Sequence, residues 1–222
     1  MDFKDIICNK PVVDEYRKID ENNAVPFSHG MKHVKNVVKV IEKLTDALGI
    51  VGTERDDLLV AALLHDIGQA DGRADHGPKG AKIARLILNG LSEDRLNKIL
   101  EAIELHDQAE GRNELSLFTN LISFADKMDF TRERFDDNWE EKTPLEYRQK
   151  LGKNIYEHIL DVDFAVEDGS FEVMVSTDGE LEKADFTERE AVFMPKVIDI
   201  VKVVASQLDL MPKILVDGNN IL

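Results

Sequence analysis

Between residues 28 and 160 the hydrophobic positions recur at helical spacing, so this part of the chain is predicted to be helical. The clearest stripe covers residues 34–48, where valine, isoleucine and leucine recur every three or four positions until Gly49. Further helices are predicted to begin near Thr53, Pro78 and Ser92, and others to cover residues 116–130 and 144–160. This pattern indicates a helical domain.

Near residue 160 the period changes to the alternation that is typical of a β-hairpin. The sequence LDVDFAVEDGSFEVMVSTDGE alternates apolar and polar residues around Asp-Gly pairs, which favour tight turns. An amphipathic helix is predicted to follow over residues 188–208. We therefore expect a mostly helical, α+β protein with three parts: an N-terminal segment over 1–26 that packs on the core, a helical domain over 27–160, and a small antiparallel sheet with a closing helix over 161–222.

The composition is that of an ordinary globular protein, with 43% hydrophobic and 32% charged residues among 222. A net charge of −16 repels long polyanions, so we expect neither long nucleic acids nor membranes as partners, whereas a metal could still bring in a small phosphate. No apolar run is long enough for a membrane span, and the N-terminus does not resemble a signal peptide, which favours a cytoplasmic location. Cys8 is the only cysteine, which excludes an intrachain disulfide and a thiolate metal cage.

Several ionisable residues lie on helix faces that are otherwise apolar. They are His33, His65, Asp66, His106 and Asp126. A lone histidine in such a place is more often a hydrogen-bonded core residue than a ligand. A buried aspartate without a cation or strong donors, in contrast, costs several kcal/mol. Two such aspartates among three histidines therefore predict a divalent metal ion, which imidazole nitrogens and carboxylate oxygens bind.

The other three histidines give weaker signals. His76 lies in a loop before Pro78, where a residue that faces water is the alternative to a metal ligand. His29 precedes His33 by one helical turn and the two could chelate, but its place near the helix start favours an exposed or capping role. His158 has no ionisable partner in the pattern, and we assign it no function.

These residues resemble the HD superfamily of metal-dependent phosphohydrolases, over about residues 27–135. The resemblance rests on the string AALLHDIG at residues 61–68, on the order of the histidines, and on the later aspartate in FADKMDF. It implies a helical bundle with a metal site at its centre. The positions that match the ligands of a first ion are His33, His65, Asp66 and Asp126. The positions that match a second ion are His76 and His106, and Asp66 would bridge the two ions.

Further candidate residues concern the substrate and the reaction. The strings HGPKGAKIA and FADKMDFTRERF are similar to the branch that hydrolyses dinucleoside polyphosphates, in which a distal arginine contacts phosphate, and Arg132 matches it. Lys79 is a second candidate contact with phosphate. The candidate catalytic residues are Asp66, Asp129 and Lys127. Asp129 could instead bond to a helix end, and Lys127 could be a surface residue, since it points about 100° away from the preceding aspartate on the helix.

The favoured function is hydrolysis of a phosphoester or phosphoanhydride in a small, nucleotide-type substrate by a metal-activated water. Two alternatives stay open: a di-iron oxygenase of the same superfamily, such as inositol oxygenase, and a regulatory module that binds metal and nucleotide without catalysis. The number of ions, one or two, and their identity among Mn, Fe, Mg, Zn, Co and Ni also stay open, as does a homodimer. Gln69 marks a departure from the family, since many relatives carry lysine there.

Overall fold

The structure is a computed structural model that describes residues 3–22, 29–108, 110–134, 155–181, 185–186 and 194–222. The described residues are mostly helical, with a small sheet in the C-terminal part, and the predicted fold class is therefore confirmed. The described residues divide into two compact units, one formed by those up to Asp126 and the other by those from Lys127 to Leu222. Within the described part of the chain, no helix has the length and apolar character that a membrane crossing requires.

Seven helices occur among the described residues up to Lys127. They are α1 (Phe3–Ile7), α2 (Lys10–Glu21), α3 (Met31–Ala47), α4 (Gly52–Leu64), α5 (His76–Ile87), α6 (Glu93–Leu105) and α7 (Leu117–Lys127). A 3₁₀ segment follows α4 at Ile67–Asp71, and another precedes α7 at Arg112–Glu114. The helices that the hydrophobic pattern predicts in this part of the chain are all present, with boundaries that differ by a few residues.

Helix α4 is the central helix of the first unit. Every residue from Leu58 to Leu64 is buried, because this half of the helix is apolar on all sides and packs among α1, α3 and α6. Tyr16 of α2 also reaches it: the buried hydroxyl donates a hydrogen bond to the backbone carbonyl of Leu63, at 2.6 Å. The N-terminal helices therefore contact the last turn of α4, immediately before His65 and Asp66.

Two ion pairs join α4 to α6. The Arg95 guanidinium donates to the buried carboxylate of Asp57, with Nε and Nη2 at 3.0 and 2.7 Å from Oδ1. Lys98 and Glu54 form a second, exposed pair at 2.8 Å. Both pairs lie toward the starts of the two helices, and the rings of His65 and His106, directly after the two helix ends, have centroids 5.0 Å apart. The two helices therefore run in the same direction, and their C-terminal ends lie on the same side of the unit.

Glycines allow α5 to approach its neighbours at backbone distance. A Cβ atom on Gly68 would lie 2.1 Å from the carbonyl oxygen of His76, and one on Gly77 would lie 2.3 Å from the carbonyl oxygen of Glu104. No side chain fits at these distances, so the two glycines set the separation of α5 from the Ile67–Asp71 segment and from α6.

The second unit contains a four-stranded mixed sheet and one long helix among its described residues. The strands, in their order across the sheet, are β1 (Ile159–Glu167), β2 (Ser170–Thr177), β3 (Met211–Val216) and β4 (Asn219–Asn220). The first and last pairs are antiparallel, whereas β2 and β3 are parallel and are connected through α8 (Met194–Gln207). Helix α8 packs on β2 and β3, and its apolar face forms part of the core.

The predicted hairpin is confirmed as β1 and β2. Asp168 and Gly169 have φ angles of 47° and 74°, which is the left-handed pair that a two-residue type I′ turn requires. Strands β3 and β4 were not predicted, however, and the unit was expected to close with a helix. The chain instead returns to the sheet after α8 and adds a parallel strand.

The predicted end of the helix over residues 144–160 is wrong. Residues 144–154 lie outside the described part of the chain, but Ile155–His158 form a 3₁₀ segment and Leu160 already belongs to β1. The alternating sequence that follows favours a strand, and pairing with β2 extends that strand to residue 159. Of the helix predicted over 188–208, the described part is α8, and residues 188–193 lie outside the described part.

The buried pair between α4 and α6 should contribute more to stability than the exposed one. We expect Asp57→Asn to lower the free energy of unfolding by about 1.5–3 kcal/mol, because it removes the negative charge of the carboxylate that accepts two hydrogen bonds from the guanidinium. The same amide substitution at the exposed partner, Glu54→Gln, should cost no more than about 1 kcal/mol. Urea denaturation followed by circular dichroism measures both values, and equal losses would contradict the different roles of the two pairs.

Candidate metal centre

Three of the predicted site residues lie at C-terminal ends of helices. His65 follows α4, His106 follows α6, and Asp126 lies in the last turn of α7. The rings of His65 and His106 have centroids 5.0 Å apart, and Nε2 of His65 lies 3.8 Å from Oδ1 of Asp126. Helix C-termini carry partial negative charge, so their meeting at one point favours a cation there.

A first cluster brings together the side chains of His33, His65, Asp66 and Asp126. Nε2 of His33 lies 3.2 Å from Nε2 of His65 and 3.2 Å from Oδ1 of Asp126. Oδ2 of Asp66 lies 3.5 Å from Nε2 of His33 and 3.4 Å from Nε2 of His65. Ligands that each lie about 2.1 Å from one ion are about 3.0–3.4 Å from one another, so this donor set fits a shared divalent ion.

A second cluster lies on the other side of the same carboxylate. Nε2 of His76 and Nε2 of His106 are 3.1 Å apart, and each lies 3.5 Å from Oδ1 of Asp66. Asp66 thus presents one oxygen to each cluster. The structure therefore brings together all six side chains that the sequence analysis singled out as candidate ligands, in two groups that share Asp66.

Three of the four cluster histidines are fixed in the tautomer that a metal site needs. His65, His76 and His106 each donate the Nδ1 hydrogen to the backbone carbonyl three residues earlier, at 2.8–2.9 Å. Because a carbonyl only accepts, Nδ1 must carry the proton, and Nε2 then directs its lone pair into the cluster. Metal-binding histidines in proteins are commonly oriented by such a hydrogen bond.

The charges of the clusters shift the pKa values of their members. Burial would raise the pKa of Asp66, but nearby His65 and His29 outweigh burial and hold this pKa well below its usual range. Burial would lower the pKa of His65, yet Asp66 and Asp126 raise it overall. For His76, burial prevails and the pKa falls. Asp66 thus stays ionised at neutral pH, and metal binding competes with a proton at His65.

His29 occupies a different place from the one its sequence position favours. The expected exposed or capping role is wrong, because the residue is 7% exposed and Nδ1 lies 2.9 Å from Oδ2 of Asp66. Its spacing of four residues from His33 was the available signal. Gln69, which the sequence marked only as a departure from the family, also contacts the site: Nε2 donates to Oδ1 of Asp66 at 2.6 Å.

The remaining candidate residues were predicted to act in catalysis or phosphate binding and not as metal ligands. Lys79 is half-buried and lies one turn after His76 in α5. In the second unit, Lys127 is buried, which rules out the surface position considered for it, and Arg132 is exposed. The backbone carbonyl of Asp129 accepts a hydrogen bond from Arg134 at 2.7 Å. Roles of these residues in catalysis or phosphate binding stay predictions.

A cleft of about 290 Å³ adjoins the second cluster. Its lining includes His76 and His106 together with Arg73 and Asp107, which form an ion pair at 3.4 Å. The cleft gives this cluster an opening to solvent through which a small molecule could reach it. The cleft was not predicted from the sequence, because its walls come from a loop and from the ends of two helices.

Comparison with protein families matches residues 30–131 to the HD domain. The matched range contains all six candidate ligands and α3 to α7, and excludes α1, α2, His29 and most of the second unit. A comparison with curated proteins finds no match to this chain.

The close approach at Gly77 should matter for metal binding. Gly77→Ala places a methyl group against the carbonyl oxygen of Glu104, so α5 must move away from α6 and separate His76 from His106. We expect Mn²⁺ to bind this variant about 10–100-fold more weakly, as found when the groups that orient ligands are lost. Gly90→Ala is the matched control, since a Cβ atom there meets nothing within 4 Å. Calorimetric titration measures both affinities, and equal values would contradict the prediction.

Proposed function

We propose that this protein hydrolyses a phosphoester or phosphoanhydride bond in a small, nucleotide-type substrate, since residues 30–131 match the HD domain, a family mostly of metal-dependent hydrolases. One observation carries the proposal: the buried carboxylate of Asp66 faces two groups of histidine Nε2 atoms, one through each oxygen. This arrangement suits a carboxylate that is shared by two divalent ions.

In this proposal His33, His65, Asp66 and Asp126 hold a first ion. His76 and His106 hold a second ion together with Asp66. A bound divalent ion polarises phosphate oxygens and lowers the pKa of water towards about 7, which is the chemistry that hydrolysis at neutral pH requires. The chain contributes ionised carboxylates, imidazoles with fixed lone pairs, and burial that keeps competing water away from the donors.

The substrate needs positive charge that the chain as a whole does not offer. With a net charge of −16, the protein repels a phosphorylated molecule at long range, so attraction has to be local. We propose that Lys79, Lys127 and Arg132 supply it, and that Arg132 binds phosphate through two parallel hydrogen bonds. Asp129 is the proposed residue for orienting a ligand or accepting a proton.

The number of ions can be tested by removing one histidine. We expect His106→Ala to lose one of two metal equivalents while the helical content stays unchanged, because His106 belongs only to the second cluster. The control is His158→Ala, because the imidazole of His158 pairs with Asp178 in the second unit and belongs to neither cluster. Metal analysis after titration with Mn²⁺ gives the stoichiometry. One equivalent in both the parent and His106→Ala would mean a mononuclear site.

The proposed activity predicts different losses for a ligand and for a phosphate contact. Asp66→Ala should abolish phosphate release from nucleotide substrates, since it removes a residue shared by both clusters. Arg132→Ala should lower kcat/KM roughly tenfold to hundredfold with unchanged metal content, as expected when a charged contact with phosphate worth about 1.5–3 kcal/mol is lost. The assay uses protein purified without oxygen, with and without added Mn²⁺.

Two results would contradict the proposed function. Iron-loaded protein that consumes O₂ and hydrolyses no phosphate substrate would favour an oxygenase. Protein that binds a nucleotide tightly without turnover would favour a regulatory module.

A further inference from the structure

The contacts of Asp66 fall into two classes of distance. The four cluster histidines place Nε2 atoms 3.4–3.5 Å from the carboxylate oxygens, which are separations between neighbouring ligands of one ion. His29 and Gln69 approach more closely: Nδ1 of His29 lies 2.9 Å from Oδ2, and Nε2 of Gln69 lies 2.6 Å from Oδ1. The latter are hydrogen-bond distances, and each oxygen has one such contact.

These two contacts come from separate parts of the first unit. His29 precedes α3, whereas Gln69 belongs to the Ile67–Asp71 segment after α4. Neither His29 nor Gln69 needs a positive charge to donate, so the negative charge of Asp66 stays available for metal ions. Burial of His29 and Asp66 strengthens the hydrogen bond between them, because little water competes for the donor or the acceptor.

One donor on each oxygen constrains how the carboxylate can bind metal. Each oxygen keeps a lone pair for an ion, so the carboxylate can bridge two ions, one through each oxygen. To chelate a single ion with both oxygens, it would have to turn towards one cluster. That rotation would break the hydrogen bonds to His29 and Gln69.

We propose that His29 and Gln69 are positioning residues that hold Asp66 in the bridging orientation and thereby set the number of ions that the site binds. The inference rests on the proposed function, because it takes the two clusters to be metal sites. It adds that the preference for two ions over one comes from residues that are not themselves ligands. Loss of such an orienting partner typically weakens metal binding about 10–100-fold.

Three variants test this role in the full-length protein. His29→Ala removes the donor, and His29→Asn keeps an N–H donor at the position of Nδ1. Gln69→Met keeps nearly the same shape and removes the amide. The metal-free proteins are titrated with Mn²⁺ by calorimetry, metal content is measured after dialysis, and circular dichroism of each apoprotein reports folding.

We expect two Mn²⁺ equivalents in the parent protein. His29→Ala and Gln69→Met should bind one equivalent with high affinity, and the other should bind about 10–100-fold more weakly. His29→Asn should retain both equivalents, which a loss of packing alone would not explain.

The failures of the two proposals are distinguishable. Two tight equivalents in both His29→Ala and Gln69→Met would overturn the inference and leave the metal site standing. Equal losses in His29→Asn and His29→Ala would also overturn it, since His29 would then act as a ligand or a packing residue. A parent protein with one equivalent would overturn it while leaving a mononuclear hydrolase. A parent protein that binds no divalent ion would overturn the proposed function as well.

Discussion

The carboxylate of Asp66 carries a negative charge that is buried almost completely, and the rest of the first unit has to compensate this charge. An ionised group in apolar surroundings is costly unless donors or cations surround it. Imidazoles surround this one, and the amide of Gln69 bonds to it. Their placement depends on where helices end, because α4 and α6 run parallel and each delivers a histidine just past its last turn.

Contacts elsewhere in the unit hold the helix ends that carry these histidines. Tyr16 bonds to the carbonyl of Leu63 next to the site, and the Arg95 ion pair with Asp57 aligns α4 with α6. Near the C-terminal ends of α4 and α6, glycine contacts bring α5 to backbone distance from its neighbours. Ser123 adds a buried link, since the hydroxyl donates to the carbonyl of His106 at 2.7 Å and sits one turn before Asp126. Polar bonds and close backbone contacts thus orient ligands that apolar packing alone would leave free to rotate.

Much of the first unit could be predicted, because long helices have a strong hydrophobic period and aspartate on an apolar face is rare. His29 was misjudged, since it lies outside the periodic stretch and its contact with Asp66 joins residues far apart in sequence. Strand β3 was missed because it is parallel to β2, and parallel strands are joined by a long crossover that leaves no local pattern. The turn between β3 and β4 did leave a local signal, the Asp-Gly pair at Asp217 and Gly218. Local patterns therefore reveal helices and hairpins, whereas contacts between distant segments require the structure.

All six candidate ligands belong to one of the two compact units, and this has a thermodynamic consequence. A ligand that binds only the folded form stabilises it by mass action, by about 2.7 kcal/mol when its free concentration is one hundred times Kd. Divalent ions would thus add stability to the unit that ends at Asp126 and contribute no direct binding energy to the other. The melting behaviour of the chain would then depend on metal supply, and heating could separate the two units into distinct transitions in metal-rich buffer.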